Sequence, residues 1–258
     1  MSFFLPLLVS LIVPVAAFAS DTSKAELYFL QGKWDKAIKE YEAIAVKDPT
    51  MDNLMRLADS YLYNNETGPA KKTYEKALSI AKRPEAIISI AMVEAITDNS
   101  LINDLLSLFD RYGDNPRLWR AAGIALMHST DDEQALYYFY GAAERDPADY
   151  MSYFLIGQIY EIHHNFDEAI KAYKSSVKIN PNYAMALNNL GYAYKERHFY
   201  TYAIDMYKRA IAVAPEKAGT YYNIGNAYTH KNMIKEAFDS YKKAIELEPL
   251  FAKARYNM

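Results

Sequence analysis

AMALNNLGYAYKERHFYTYAIDMYKRAIAVAPEK, residues 184–217, runs without a gap into AGTYYNIGNAYTHKNMIKEAFDSYKKAIELEPLF, residues 218–251. Laid on one another, these lines agree at a glycine (Gly191, Gly225), an alanine (Ala203, Ala237), an aromatic (Tyr207, Tyr241) and a closing proline (Pro215, Pro249). The same 34-residue step continues upstream through Gly123 and Gly157, Ala135 and Ala169, Phe139 and Tyr173, and Pro147 and Pro181. Four copies in phase mark a stacked repeat, in which each unit buries its apolar face against the next.

Each copy reads as two helices. In the copy beginning at Tyr150, Tyr153, Ile156, Gly157 and Tyr160 form an i, i+3, i+4, i+7 stripe. Ala169, Ile170, Tyr173, Ser176 and Val177 repeat that spacing in a second helix. A glycine inside a helix costs roughly 1 kcal/mol relative to alanine. Its return at every copy therefore predicts a close helix-to-helix approach that leaves no room for a Cβ. The recurring alanine of the second helix is the expected matching contact, with the large ring filling space between neighbouring pairs. Proline then stops the second helix.

These residues resemble the tetratricopeptide repeat family. Trp119, Ala122, Gly123, Ala135, Phe139, Ala142 and Pro147 stand at its signature spacing in one copy. Leu190, Gly191, Tyr194, Ala203, Tyr207, Ala210 and Pro215 do so in another. Ser176 and Leu126 are local departures, at a usual alanine and a usual aromatic. The resemblance implies an all-α, right-handed superhelical solenoid of helix-turn-helix units, its inner surface lined by the first helix of each pair.

Upstream copies are worn. Ala25, Tyr28, Trp34, Ala37, Tyr41 and Pro49 outline one, and Leu54, Leu57, Ala58, Tyr61, Ala70, Tyr74 and Ala77 a second. In the third, residues 85–115, the glycine and alanine positions fall on Ser89 and Leu101, though the apolar spacing stays helical. The segment reads as a drifted but structurally equivalent pair; a weak joint that would let two halves pivot is the alternative. Residues 1–19, MSFFLPLLVSLIVPVAAFA, carry no charged side chain and end on a small-x-small triplet. That pattern predicts an export signal cleaved before Ser20, and hence a periplasmic or secreted protein. An uncleaved N-terminal membrane anchor is the alternative. The expected division is thus 1–19 signal, 20–115 three degenerate helix pairs, 116–251 four regular repeats, and 252–258 the start of a further first helix. That short last helix leaves an apolar face little covered and predicts self-association or a neighbour at the carboxyl end.

Composition narrows the chemistry. A net charge of −3 gives no basic footprint for nucleic acid. The absence of cysteine removes disulfides, thiolate metal sites and thiol catalysis. The histidines, His128, His163, His164, His198 and His230, do not converge in any metal-binding motif, and His163-His164 reads as a solvated turn. Asp131-Asp132-Glu133 reads as the capped, acidic start of a second helix. With no phosphate loop, nucleophile elbow or paired catalytic carboxylates, the sequence predicts no enzyme, no cofactor and no metal site.

A subtler period lies on the first helices, where Asn189, Asn223 and Asn257 recur every 34 residues. The resemblance places this position on the concave groove. A row of amides offering both donor and acceptor would suit the backbone of an extended peptide. Tyr192, Tyr222, Tyr256, Asn226 and Gln158 are expected to flank it. The competing reading is that Asn-Leu-Gly is only a favoured spelling of the repeat. The family's carboxylate clamp does not fit: Asn223 and Lys253 match, but Asn188, Tyr192 and Asn257 stand where Lys, Asn and Arg are needed. The sequence thus predicts a non-enzymatic exported scaffold. It would bind a protein or peptide in its concave groove, in envelope, secretion or polysaccharide assembly. The alternative is a truncated or accessory regulatory arm of an enzyme, such as a glycosyltransferase or peptidoglycan-processing enzyme.

Overall fold

A computed structural model describes residues 21–258; the export segment expected at 1–19 lies outside them. Among the described residues every regular element is a helix. The pairs are α1 (Asp21–Leu30) with α2 (Trp34–Lys47), α3 (Met51–Tyr63) with α4 (Thr67–Ile80), and α5 (Pro84–Thr97) with a broken α6 (Ile102–Ser107) and α7 (Phe109–Tyr112). Then follow α8 (Pro116–His128) with α9 (Asp132–Arg145), and α10 (Tyr150–Ile162) with α11 (Phe166–Ile179). The last are α12 (Ala184–Glu196) with α13 (Tyr200–Val213), α14 (Ala218–His230) with α15 (Ile234–Leu247), and the short α16 (Ala252–Asn257). Second helices pack on the next pair's first helix, which makes the chain an all-α solenoid.

The turn inside every pair but the third is set by one backbone device. Gly32, Asn65, Thr130, His164, His198 and Asn232 all have φ between 57° and 71°. The next N–H reaches back to the carbonyl five residues earlier, as in Glu66 to Tyr61 (2.8 Å), Asn165 to Tyr160 (2.8 Å) and Phe199 to Tyr194 (2.8 Å). This is the Schellman closure, which satisfies carbonyls that the helix end leaves unpaired. His164 and His198 are thus turn residues, exposed to solvent.

The interlock differs in one respect from the sequence expectation. An ideal Cβ on Gly123, Gly157, Gly191 or Gly225 would lie 2.4–2.7 Å from the ring of Phe139, Tyr173, Tyr207 or Tyr241. The ring therefore packs against the glycine inside its own helix pair, as well as reaching the next pair where the Tyr173 hydroxyl meets Asn189. The ring, not the alanine of the second helix, is the glycine's partner.

In three copies the ring hydroxyl finds its acceptor at one fixed offset, whereas Tyr173 donates to Glu161 and the Tyr207 hydroxyl is buried without a partner among the described residues. Tyr41 donates to Glu26 (2.6 Å), Tyr74 to Asp59 (2.6 Å) and Tyr241 to Asn226 (2.9 Å), each acceptor standing fifteen residues earlier. Where the ring is Phe139, with no hydroxyl, that position holds the apolar Ile124. A buried hydroxyl needs a partner and a buried phenyl does not.

The third unit is half regular. Ser89 stands at the glycine position and Leu105 at that of the ring, both fully buried. A side chain narrower than an aromatic thus goes with a residue larger than glycine. The second helix breaks into α6 and α7, and α5 packs directly on α8. Arg117 ties this joint: its Nε donates to Ser89 Oγ (2.7 Å), and its guanidinium is ion-paired with Asp59 of α3.

Candidate functional site

The solenoid curves until its first unit meets its sixth and seventh. Gly32 (φ +71°) lies so close to Tyr183 that a Cβ would stand 2.8 Å from the ring. Asn180 Nδ2 donates to the Leu30 carbonyl at 2.8 Å. Glu216 pairs with Lys36 at 3.0 Å and Lys33 at 3.7 Å. Trp34 lies between Tyr63 (ring centroids 5.1 Å apart) and Tyr183 (6.4 Å).

This closure gives the interior two connected spaces. One is a cleft of about 650 Å³ with Asn188, Asn189 and Asn223 on one wall and residues 31–34 on the other. The second, about 220 Å³, is largely apolar, with Met127, Met151, Phe154 and Tyr183 among its walls. Trp34, Tyr63 and Met185 border both.

The residues expected from the sequence fall into separate groups. Asn189 and Asn223 share the cleft, stitched by Asn188: Asn223 Nδ2 donates to Asn188 Oδ1 (3.2 Å), and Asn188 Nδ2 to Asn189 Oδ1 (3.2 Å). Asn189 also donates to the Tyr173 hydroxyl at 3.4 Å. Asn226, Asn257 and Tyr222 form a second cluster, in which Asn257 Nδ2 donates to Asn226 Oδ1 (3.0 Å) and Tyr222 Oη (3.4 Å). Gln158 lines the apolar cavity. Tyr192 is half-buried beneath the Lys195 ammonium, 4.6 Å from its ring centroid. Tyr256 is 91% exposed.

Three interior features escaped the sequence reading. Asn188 has no equivalent one repeat on, where Tyr222 stands, so periodicity cannot find it. The closing turn at residues 30–36 depends on contacts about 150–180 positions away. A buried charge network, Asp59 with Arg117 and Arg120 with Asp149 (2.8 Å), also lines the inner face. Opposite charges on otherwise apolar inner stripes were the available signal for that network. Asp149 additionally caps α10, accepting from Ser152 N (3.1 Å) and Ser152 Oγ (2.6 Å). Burial works to raise the Asp59 carboxyl, but Arg117 and Tyr74 outweigh it and hold it below the usual range. Among the described residues no helix is long and apolar enough to cross a membrane.

Comparison with known proteins follows the repeat. Family models described as tetratricopeptide repeat match residues 24–50, 52–84 and 218–250, and one described as TPR repeat matches 164–197. These matches support a tetratricopeptide-repeat protein. No curated protein matches the chain. A chain in the crystal structure of the APC/C hetero-tetramer Cut9-Hcn1 is similar in fold, with a TM-score of 0.62 over 92% of this chain at 15% identity. The match spans 54% of that chain's length.

Proposed function

We propose that this tetratricopeptide-repeat chain is an exported, non-catalytic scaffold that holds an extended segment of a protein partner in its interior cleft. The observation that carries the reading is the convergence of Asn188, Asn189 and Asn223 on one wall of a cleft of about 650 Å³. Amides suit the alternating donors and acceptors of an extended backbone. The adjoining apolar cavity suits a side chain of the same segment. The repeat matches favour a protein-interaction scaffold over catalysis.

A photoreactive side chain in place of Met185, on the cleft wall, tests this in the native compartment. It should crosslink a protein; a glycan or no adduct opposes the reading. Asn189→Ala with Asn223→Ala should then lower affinity for the captured partner roughly 5- to 100-fold, the scale of two lost hydrogen bonds. Both amides are half-buried and bonded to neighbours, so stability should fall by only about 1 kcal/mol. Equal loss of stability and binding would remove the groove.

The compartment rests on the uncharged residues 1–19. Amino-terminal sequencing of exported protein should begin at Ser20. An intact Met1 would leave the segment as an anchor.

A further inference from the structure

We infer that the first helix pair is a clasp: its α1–α2 turn closes the amide cleft by docking on the α11–α12 and α13–α14 turns, and its release widens the cleft into an open trough. Among the described residues, α1 and α2 have one extensive helix contact beyond themselves, α2 on α3. Every other unit past the first is held on both sides until the chain reaches α15 and α16. The bond from Asn180, the two ion pairs on Glu216 and the packing of Gly32 and Trp34 on Tyr183 thus join parts of the chain that lie far apart in sequence.

The chemistry of the seam favours a reversible contact. Its polar part is the Asn180 bond to the Leu30 carbonyl and one carboxylate: Glu216, 36% exposed, faces the open Lys36 and the buried Lys33. The Lys36 pair, open on both sides, is screened by salt and weakens without any change in packing, whereas the pair with the buried Lys33 is screened less. Its apolar part is a turn against a ring, Gly32 on Tyr183 with Trp34 beside it. Gly32 supplies both the left-handed φ and the missing Cβ that let the backbone lie on that ring. The cleft's second wall is this same turn, residues 31–34. Moving the turn therefore changes the width of the space that holds Asn189 and Asn223.

The purpose of the clasp, admission of an extended segment, rests on the function proposed above; its existence does not, and the test uses no partner. The chain has no cysteine, so Asn189→Cys places a single thiol on the cleft wall, and Asn223→Cys a second reporter. A maleimide carrying a polyethylene-glycol chain reads access to that thiol. Leu250→Cys, at a position 86% exposed, supplies the unobstructed rate. At low ionic strength the cleft thiol should react well below the reference rate. Adding Glu216→Lys should speed it about tenfold, the scale of turning one exposed ion pair and one half-exposed one into repulsions. Gly32→Ala should act in the same direction without altering charge. In both backgrounds amide hydrogen exchange should rise in residues 24–47 and not in α8 to α15. Unchanged labelling in both would overturn the clasp, as would exchange rising through every unit, because the turn would then be a fixed part of the core. A failed clasp leaves partner capture to be judged separately, and a failed capture leaves the clasp standing.

Discussion

Phe139→Ala should lower stability by about 3–5 kcal/mol, the range for deleting a buried aromatic, and Gly123→Ala by about 1–3 kcal/mol, the range for overpacking. The two together should cost less than their sum. Phe139 is fully buried, and a Cβ on Gly123 would lie 2.6 Å from its ring. The ring must move as a rigid unit to admit it. Alanine's helix propensity returns roughly 1 kcal/mol, too little to cancel the clash. The chain itself bounds the size of the effect. Ala25 and Ala58 stand at the glycine position opposite the buried rings of Tyr41 and Tyr74, so a shifted ring is a viable arrangement and the penalty stays moderate. With the ring gone, the added methyl enters the vacated space. A coupling of about 0.5–3 kcal/mol is then expected from a double-mutant cycle followed by denaturant titration of helicity. Strict additivity would show that ring and glycine do not share a space.

The same pairing explains how far the sequence could be read. Helix pairs, turns and buried rings were legible because each is spelled locally and repeated: Gly157 with Tyr173 and Gly191 with Tyr207 carry the same contact 34 residues apart. Even there, the period could not say whether a ring packs inside its pair or between pairs, since both place it on one helical face. The third unit blurred because two compensating changes, Ser89 and Leu105, erase the landmarks while preserving the packing. Asn189 and Asn223 were legible as a period and do line the interior cleft. Their link through Asn188 was not, because it follows from the angle between α12 and α14. The closing of the cleft by residues 31–34 was further out of reach. Curvature accumulates from small rotations over several units, so no local pattern states that Leu30 will meet Asn180.

Asp59→Ala should be among the most damaging single substitutions, at about 3–5 kcal/mol, because it strands a buried guanidinium. Asp59 accepts from Arg117 and from the Tyr74 hydroxyl (2.6 Å), and Arg117 in turn donates to Ser89 (2.7 Å). One carboxylate thus joins α3, α4, α5 and α8 at the unit whose second helix is broken. The joint most in need of a tie has one. Attraction between such charges is largely offset by their desolvation, so replacing the pair by apolar residues of similar size should cost far less than removing one partner. Asp59→Leu with Arg117→Met should therefore lie well above Asp59→Ala in stability. The pH dependence provides a second, independent readout. Asp59 is held below the usual carboxylate range, despite burial, by Arg117 and Tyr74. A depressed carboxylate stabilises the fold fully above its unfolded-state pKa, about 3.9, and this contribution drains as pH falls through the lower folded value. The stability difference between the native chain and the Leu/Met variant should therefore change little from neutrality down to about pH 5. Below about pH 4 it should shift progressively toward the variant. A difference constant across that acid range, or a cost below about 1 kcal/mol for Asp59→Ala, would mean that the charge pair is incidental. The apolar contact of α5 on α8 would then hold the joint alone.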